Sequence, residues 1–275
     1  MSSNRRLILG LMTIGPDAAA GARITSLDEF KQCLDYFSMR GYHKLDTAAK
    51  YIGGEQEAFT RETRFMQRGF AIASKIMPLM LGGHAPRKLI PAWDRSLHNL
   101  GVDSTDIFYL HAPDRATPNY AAWEIAEMGF IKPTIYQAMY NAIARAIEEE
   151  LEPCLRKFGV SLVIYNPLAA GLFSGKYTTL DKPAEGRFTL SIIEPFAKKH
   201  GIPYVEVGLR WCVHDSRLRT ADTGGNDGVI LVISSYAQLV QNFEVREKDP
   251  LPEAVVAAMD EAWRRARGDA PTYWR

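Results

Sequence analysis

Residues Gly41–Glu57 read GYHKLDTAAKYIGGEQE. The first part, YHKLD at 42–46, has the length and apolar content of a strand, and the last part is a glycine-rich loop. An acid, Asp46, closes the strand, and a phenol, Tyr51, follows it in the loop. Upstream, SLDEFKQCLDYFSMRG predicts a helix. Ser26 and Glu29 form a capping-box pair, Leu27, Phe30, Leu34 and Phe37 recur at helical spacing, and Gly41 is a stop signal.

The same alternation continues in both directions. Strands are predicted at 6–12, 42–46, 70–75, 106–111, 134–140, 161–166 and 229–234. Between and after them run EAFTRETRFMQRG, RKLIPAWDRSLHNLG with Pro91 near its first turn, NYAAWEIAEMG and EEELEPCLRKFG, all helical in pattern. So are two stretches near 189–200 and 203–214, then YAQLVQNF and PEAVVAAMDEAWRRAR. Continuous apolar strands alternating with amphipathic helices mean a parallel sheet covered by helices. No linker, low-complexity segment or short repeat interrupts the pattern, so residues 1–275 read as one domain. No GxGxxG follows the first strand, which argues against an open dinucleotide-binding sheet and for a TIM-type (β/α)8 barrel.

Composition sets outer limits. The chain of 275 residues is 47% hydrophobic and 24% charged, which is ordinary globular content. A formal net charge of +1 gives no general reason to bind nucleic acid or an acidic membrane. Cys33, Cys154 and Cys212 lie far apart, without metal-type spacing, among apolar neighbours in helical stretches. They read as reduced, packed thiols of a cytoplasmic protein with no metal site. Arg5 and Arg6 ahead of LILGLMTIG, with AAAGA at 18–22, imitate a secretory leader. The apolar run is short and broken by Gly10 and Thr13, so it reads as a first strand, and no run reaches the ~18 apolar residues of a membrane span.

In such barrels, chemistry sits at the C-terminal ends of several strands. Three successive strands here end in Asp46, Lys75 and His111, with Tyr51 in the first loop, while Gln137, Tyr165 and Asn166 mark two later strands. Alone, each has a bland reading: a turn or cap aspartate, a solvated lysine, a core histidine. Together they suit one task. An ammonium beside a phenol favours the phenolate and strengthens the phenol as an acid. A carboxylate keeps the ammonium charged, and an imidazole orients a carbonyl oxygen. The missing hydride implies a nicotinamide cofactor.

LDTAAKY, ASK and YLHAPD resemble the motifs of the aldo-keto reductase superfamily. YLHAPDRATP, PTIYQAMYNAI, YNPLAAGLFSGKY, EGRF, ISSYAQLVQN and the terminal PTYWR are similar to its aflatoxin-aldehyde and succinic-semialdehyde reductase branch. The resemblance spans almost the whole chain. It implies NADPH-dependent reduction of an aldehyde or ketone, with Asp46, Tyr51, Lys75 and His111 as a tetrad and Tyr51 as proton donor. Asn119 and Gln137 are implied on the nicotinamide carboxamide, and Tyr165 against its ring. The loop from Asn166 through Pro167, Leu168 and Gly171 to Lys176 would approach the pyrophosphate and ribose together with Arg187. Ser234, Ser235, Gln238, Gln241 and Asn242 match the segment for the 2′-phosphate end of the nucleotide. His111 and Arg275 would face a small-molecule carbonyl substrate, with Arg275 toward a carboxylate. Relatives often form homodimers.

One departure from the family is readable. Seven strands are recognisable where the family has eight, and HAPDRATP runs almost directly into NYAAWEIAE. Roughly one strand–helix unit is missing, so an incomplete barrel is expected. Pro118 stands where the family's nicotinamide-binding serine would be, and a second shortening follows EGRF. The alternative to an active reductase is therefore a catalytically impaired or nucleotide-binding regulatory homologue.

Overall fold

A computed structural model of the chain describes residues 6–116, 132–174, 184–219, 221–268 and 270. Two compact units divide these residues. The first takes those of Leu7–Pro133 and Val232–Leu239, and the second takes Arg6 and those of Thr134–Leu231 and Val240–Tyr273.

The first unit carries β1 (Arg6–Gly10), β2 (Lys44–Asp46), β3 (Ala71–Ile76) and β4 (Ile107–Leu110), paired in the order β4-β3-β2-β1. All pairs are parallel, and the register sets Gly10 beside Asp46, Asp46 beside Ala73, and Lys75 beside Tyr109. Helices α1 (Leu27–Met39), α2 (Gln56–Arg61) and α3 (Pro86–Leu100) make the connections. Of the stripe that the spacing predicts on α1, Phe30, Leu34 and Phe37 are buried and Leu27 is half-buried, and Cys33 joins the buried face. Ser26 caps α1 by accepting from the Glu29 amide at 3.3 Å. The reciprocal half of the capping box is not made: the Glu29 carboxylate accepts from the Tyr236 amide at 2.9 Å. Left-handed Gly41 closes α1, with its amide on Ser38 O and the Tyr42 amide on Phe37 O, which turns the chain directly into β2.

The second unit carries β5 (Ile135–Met139), β6 (Ser161–Tyr165) and β7 (Gly228–Val232), ordered β7-β6-β5 and again parallel. Its helices are α4 (Leu151–Phe158), α5 (Ala184–Lys199), α6 (Tyr204–His214) and α8 (Glu253–Ala266). Helix α7 (Tyr236–Arg246) begins in the first unit and ends in the second. The hub of the second unit is Asp227, which is 2% exposed. Its carboxylate accepts from the Leu162 and Arg219 amides, both at 2.7 Å, and from the Arg156 guanidinium at 3.0 and 2.7 Å. One side chain thus ties β6, the segment ahead of β7 and helix α4.

All seven expected strands form, each within two residues of its expected ends. Four further details differ from the sequence reading. The helix expected across EAFTRETRFMQRG stops at Arg61, where Thr63 turns its hydroxyl back to Thr60 O and Arg64 is left-handed. Helix α3 starts at Pro86, so Pro91 lies inside it rather than near the first turn. Helix α5 starts at Ala184 rather than near 189. Cys154 is exposed, so the thiols are all free but not all packed. The helix expected across NYAAWEIAEMG lies outside the described residues. Among the described residues no helix is long and apolar enough to cross a membrane.

Asp227→Ala should leave the Arg156 guanidinium and two amides without their acceptor, at a cost of about 3–5 kcal/mol. Urea denaturation compares the variant with the wild type. A loss below about 1 kcal/mol would mean the hub is dispensable.

Candidate active site

Lys75 is the buried centre of the site. Its side chain is 2% exposed, and its Nζ donates to Asp46 Oδ1 at 2.5 Å and to the Thr47 carbonyl at 2.6 Å. Burial lowers its pKa from the ordinary lysine value, and the neighbouring Asp46 carboxylate opposes that shift. The parallel pairing of β2 with β3 brings the two strand ends together and makes this bond possible. Thr47 is fixed in turn. Its amide donates to Ala73 O at 2.8 Å, its hydroxyl donates to Gln56 Oε1, and Gln56 Nε2 donates to Thr60 Oγ1 at 2.8 Å.

Tyr51 lies across this ammonium. Lys75 Nζ is 5.1 Å from the centroid of its ring. The His111 ring meets the Tyr51 ring edge-on, with centroids 5.7 Å apart and planes at 84°. The loop that presents Tyr51 is strained. Ile52 has φ 49°, followed by left-handed Gly53 and Gly54. A β-branched residue in that region is an outlier costing about 1–2 kcal/mol. Ile52 is buried, and it packs where Gly15 has no side chain: a Cβ on Gly15 would sit 2.9 Å from Ile52 Cγ1.

His111 follows β4 directly. Burial, with the charges of Lys75 and Lys50, lowers its pKa from 6.5 to about 4. The imidazole is therefore neutral near pH 7, and its buried Nδ1 has no hydrogen-bond partner among the described residues. Asp46, Tyr51, Lys75 and His111 are thus brought together within one unit.

The sequence reading missed a second buried carboxyl. Glu57 is fully buried and accepts from Ser74 Oγ at 2.6 Å and from Ser96 Oγ. Burial raises its pKa, with the two serine hydroxyls opposing. The signal was present in GGEQE, three residues past the second glycine, but nothing in the chain marks its serine partners.

The residues expected around a nucleotide are distributed as follows. In the second unit Gln137 is half-buried in the middle of β5, and Tyr165 ends β6 with 42% of its surface exposed. Asn166, Ala169, Ala170 and Gly171 are all left-handed, and Asn166 Oδ1 accepts from the Ala170 amide. Pro167 is buried and its carbonyl faces the Cys212 thiol at 4.0 Å, while Leu168 is half-buried. Gln241 and Asn242 lie on α7, and both polar atoms of the Asn242 side chain are buried without a partner among the described residues. In the first unit Ser235 Oγ accepts from the Gln238 amide at 3.2 Å. Gln238 Oε1 accepts from the Ser234 amide and hydroxyl at 2.6 and 2.9 Å. These three residues cap α7 through one another. Arg187 is a position of α5 whose side chain is not described, and Asn119, Lys176 and Arg275 lie outside the described residues. Among the described residues no group of three or more His, Cys, Asp or Glu could hold a metal ion.

The aldo/keto reductase family model matches residues 6–128 and 119–264. The chain belongs to the aldo/keto reductase family. Its similarity runs to the aflatoxin-aldehyde reductase branch: it is 35% identical to aflatoxin B1 aldehyde reductase member 2 of Mus musculus over 329 aligned positions, covering 98% of this chain and 87% of the relative. It is 34% identical to aldo-keto reductase family 7 member A3 of Homo sapiens, covering 98% and 96%. It is 33% identical to an aldo-keto reductase of Pseudocercospora fijiensis, covering 88% and 99%. A crystal structure of an aldo/keto reductase from Klebsiella pneumoniae, in complex with NADP and acetate, has a TM-score of 0.66 at 22% identity and covers 98% of this chain and 93% of its own. That likeness fixes the fold class as the aldo-keto reductase barrel, of which the described residues carry seven strands. Alignments of 329 positions exceed the 275 residues of the chain, so its relatives hold residues with no counterpart here. Membership places the chain among oxidoreductases acting on aldehydes and ketones.

The His111 pKa has a consequence for stability. Its folded value, about 4, lies below the ordinary 6.5, so the unfolded chain binds more protons in that window. The His111 contribution is whole above about pH 6.5 and is lost as the pH falls through that value to about 4. His111→Asn should therefore lose less stability than the wild type between pH 7 and pH 4, read from urea midpoints. Parallel losses in the two proteins would contradict it.

Proposed function

We propose that this chain reduces aldehydes or ketones to alcohols with NADPH as the donor, and that Tyr51 is the general acid. The reading is carried by a single observation: a buried ammonium, paired with Asp46, lies against the Tyr51 ring while a neutral imidazole meets that ring edge-on. When bound, NADPH supplies the hydride. Tyr51 gives its hydroxyl proton to the carbonyl oxygen as negative charge develops there. The Lys75 ammonium stabilises the phenolate left behind, which strengthens Tyr51 as an acid. Asp46 holds Lys75 charged and in place, since an unpaired ammonium in that environment would give up its proton. His111, being neutral, orients the carbonyl oxygen without adding a second charge beside Lys75.

The described residues suit a nucleotide. Asn242 offers a buried donor and a buried acceptor with no partner among the described residues, which suits a base edge. Tyr165 offers an exposed aromatic surface at a strand end, and Gln137 an amide in the adjacent strand. The strained run Ala169–Gly171 fits a loop shaped for a ligand. Asn166, Pro167, Leu168, Gly171, Gln241, Ser234, Ser235 and Gln238 complete this proposed set. The substrate class is an aldehyde, with a carboxylate or a bulky aromatic body compatible with the motifs. A single domain of residues 1–275 and a homodimeric assembly belong to the same reading.

A second reading, a nucleotide-binding homologue with impaired catalysis, is favoured by the residues its relatives have and this chain lacks. One pair of measurements separates them. Tyr51→Phe should lower aldehyde turnover at least ~100-fold, while NADPH affinity, followed by nucleotide fluorescence, stays within about twofold. Unchanged turnover would remove Tyr51 as the acid. NADPH binding by a wild type that turns over no aldehyde would select the second reading.

A further inference from the structure

Among the described residues the His111 Nδ1 has no hydrogen-bond partner, so the placement of the ring against Tyr51 leans on its backbone. That backbone is held from two directions. The His111 amide donates to the Ile76 carbonyl at 3.0 Å, and His84 Nε2 lies 3.1 Å from the same oxygen. A carbonyl only accepts, so His84 carries its proton on Nε2. His84 is 6% exposed, and its own amide donates to Asp114 Oδ2 at 2.9 Å. Asp114 Oδ1 accepts from the Gly82 amide at 3.0 Å and from the Ala116 amide at 3.2 Å. Asp114 lies in the segment that leaves β4 just after His111.

These bonds close a ring. The loop after β3 is tied to the segment after β4 by the Asp114 carboxylate, and His84 ties the same loop to the Ile76 carbonyl that the His111 amide also uses. The loop is also tightly folded: a Cβ on Gly83 would sit 2.8 Å from Pro78 Cα and 2.9 Å from Met80 O. Hydrogen bonds to an ionised carboxylate are roughly twice as strong as neutral ones, so three amides on one aspartate make a firm clip.

We propose that Asp114 and His84 are positioning residues that set where the His111 imidazole stands against Tyr51. The role of His111 itself rests on the reading in the preceding section. Neither Asp114 nor His84 touches the reacting groups in that reading. They act by fixing the Ile76 carbonyl, on which the His111 amide rests, and the chain that follows His111.

Two measurements on the full chain test this. The first does not depend on any activity. Proton NMR follows the His111 ring, assigned by its loss in His111→Asn, through an acid titration. The wild-type midpoint is expected near 4. The charges acting on the ring are those of Lys75 and Lys50. Asp114→Ala, His84→Gln and Gly83→Ala each loosen the clip, and Gly83→Ala does so without altering a charge or a hydrogen-bonding side chain. Each should admit water to the ring and raise the midpoint by about one unit toward 6.5. A midpoint unmoved in all three overturns the proposal. Should Asp114→Ala fail to fold, Asp114→Asn, which keeps one acceptor oxygen, takes its place.

The second measurement is NADPH-dependent reduction of benzaldehyde. Asp114→Ala and His84→Gln should lower kcat by about 10- to 100-fold, since a displacement near 1 Å at a reacting centre has that effect. In a His111→Ala background the same changes should have almost no effect. An equal loss in both backgrounds would mean that they act on general structure, and the proposal fails. A wild type that reduces no aldehyde defeats the reductase reading alone, and the titration still decides the positioning role.

Discussion

The buried ammonium of Lys75 constrains everything around it. A charge with 2% exposure survives only with compensating partners, because taking an ammonium from water costs several kcal/mol even after relaxation. Asp46 and the Thr47 carbonyl are those partners. Their need for each other fixes how β2 stands beside β3, and with it where the following loop begins. Thr47 passes the constraint outward through Gln56 and Thr60 into α2. On the far side of β3, Ser74 reaches Glu57, which Ser96 of α3 also contacts. The surroundings of one buried charge thereby reach into two helices.

Two loops in the chain share an uncommon backbone. Ile52–Gly54 and Ala169–Gly171 are each three left-handed residues in succession. Each begins with a residue other than glycine, where the conformation is unfavourable by about 1–2 kcal/mol. The first follows Tyr51 and the second follows β6 and Tyr165. The first run comes directly after an aromatic residue in the loop beyond β2, and the second begins four residues after the aromatic end of β6. Strain of this kind persists only where the surroundings over-determine it, and at Ile52 the bare Cα of Gly15 is the visible reason it can.

Much of the fold was legible because strand and helix periods differ so clearly here. Apolar runs of five to seven residues gave all seven strands, and the polar residues at three strand ends, with Tyr51 in the first loop, are the ones the first unit brings together. The helix ends were harder. Thr60 and Thr63 look helical by pattern, yet the Thr63 hydroxyl returns to the backbone and ends α2 early. Glu29 reads as half of a capping box, but its carboxylate finds the Tyr236 amide, a partner more than two hundred residues away that local spacing cannot name. The same holds for the Lys75 acceptor on Thr47, which is a backbone atom and leaves no mark in the sequence. Asp114 stood inside the quoted motif YLHAPD, but its function as an acceptor for the amides of Gly82 and His84 depends on a loop thirty residues earlier. Gln238 was read toward a ligand, whereas its side-chain oxygen is engaged by Ser234.

The four residues of the proposed acid centre all lie within the first 111 positions of the chain. Every proposed nucleotide contact comes later in sequence, from Asn119 onward. During synthesis, at about 5–20 residues per second, the acid centre leaves the ribosome on the order of ten to thirty seconds before the last of the chain. In the proposed reading the residues of the acid centre are made before any nucleotide contact, and Asp114, which clips the chain beyond His111, is made just after them. In that proposed reading, the order of the sequence places the proton donor ahead of the groups for the hydride donor in time.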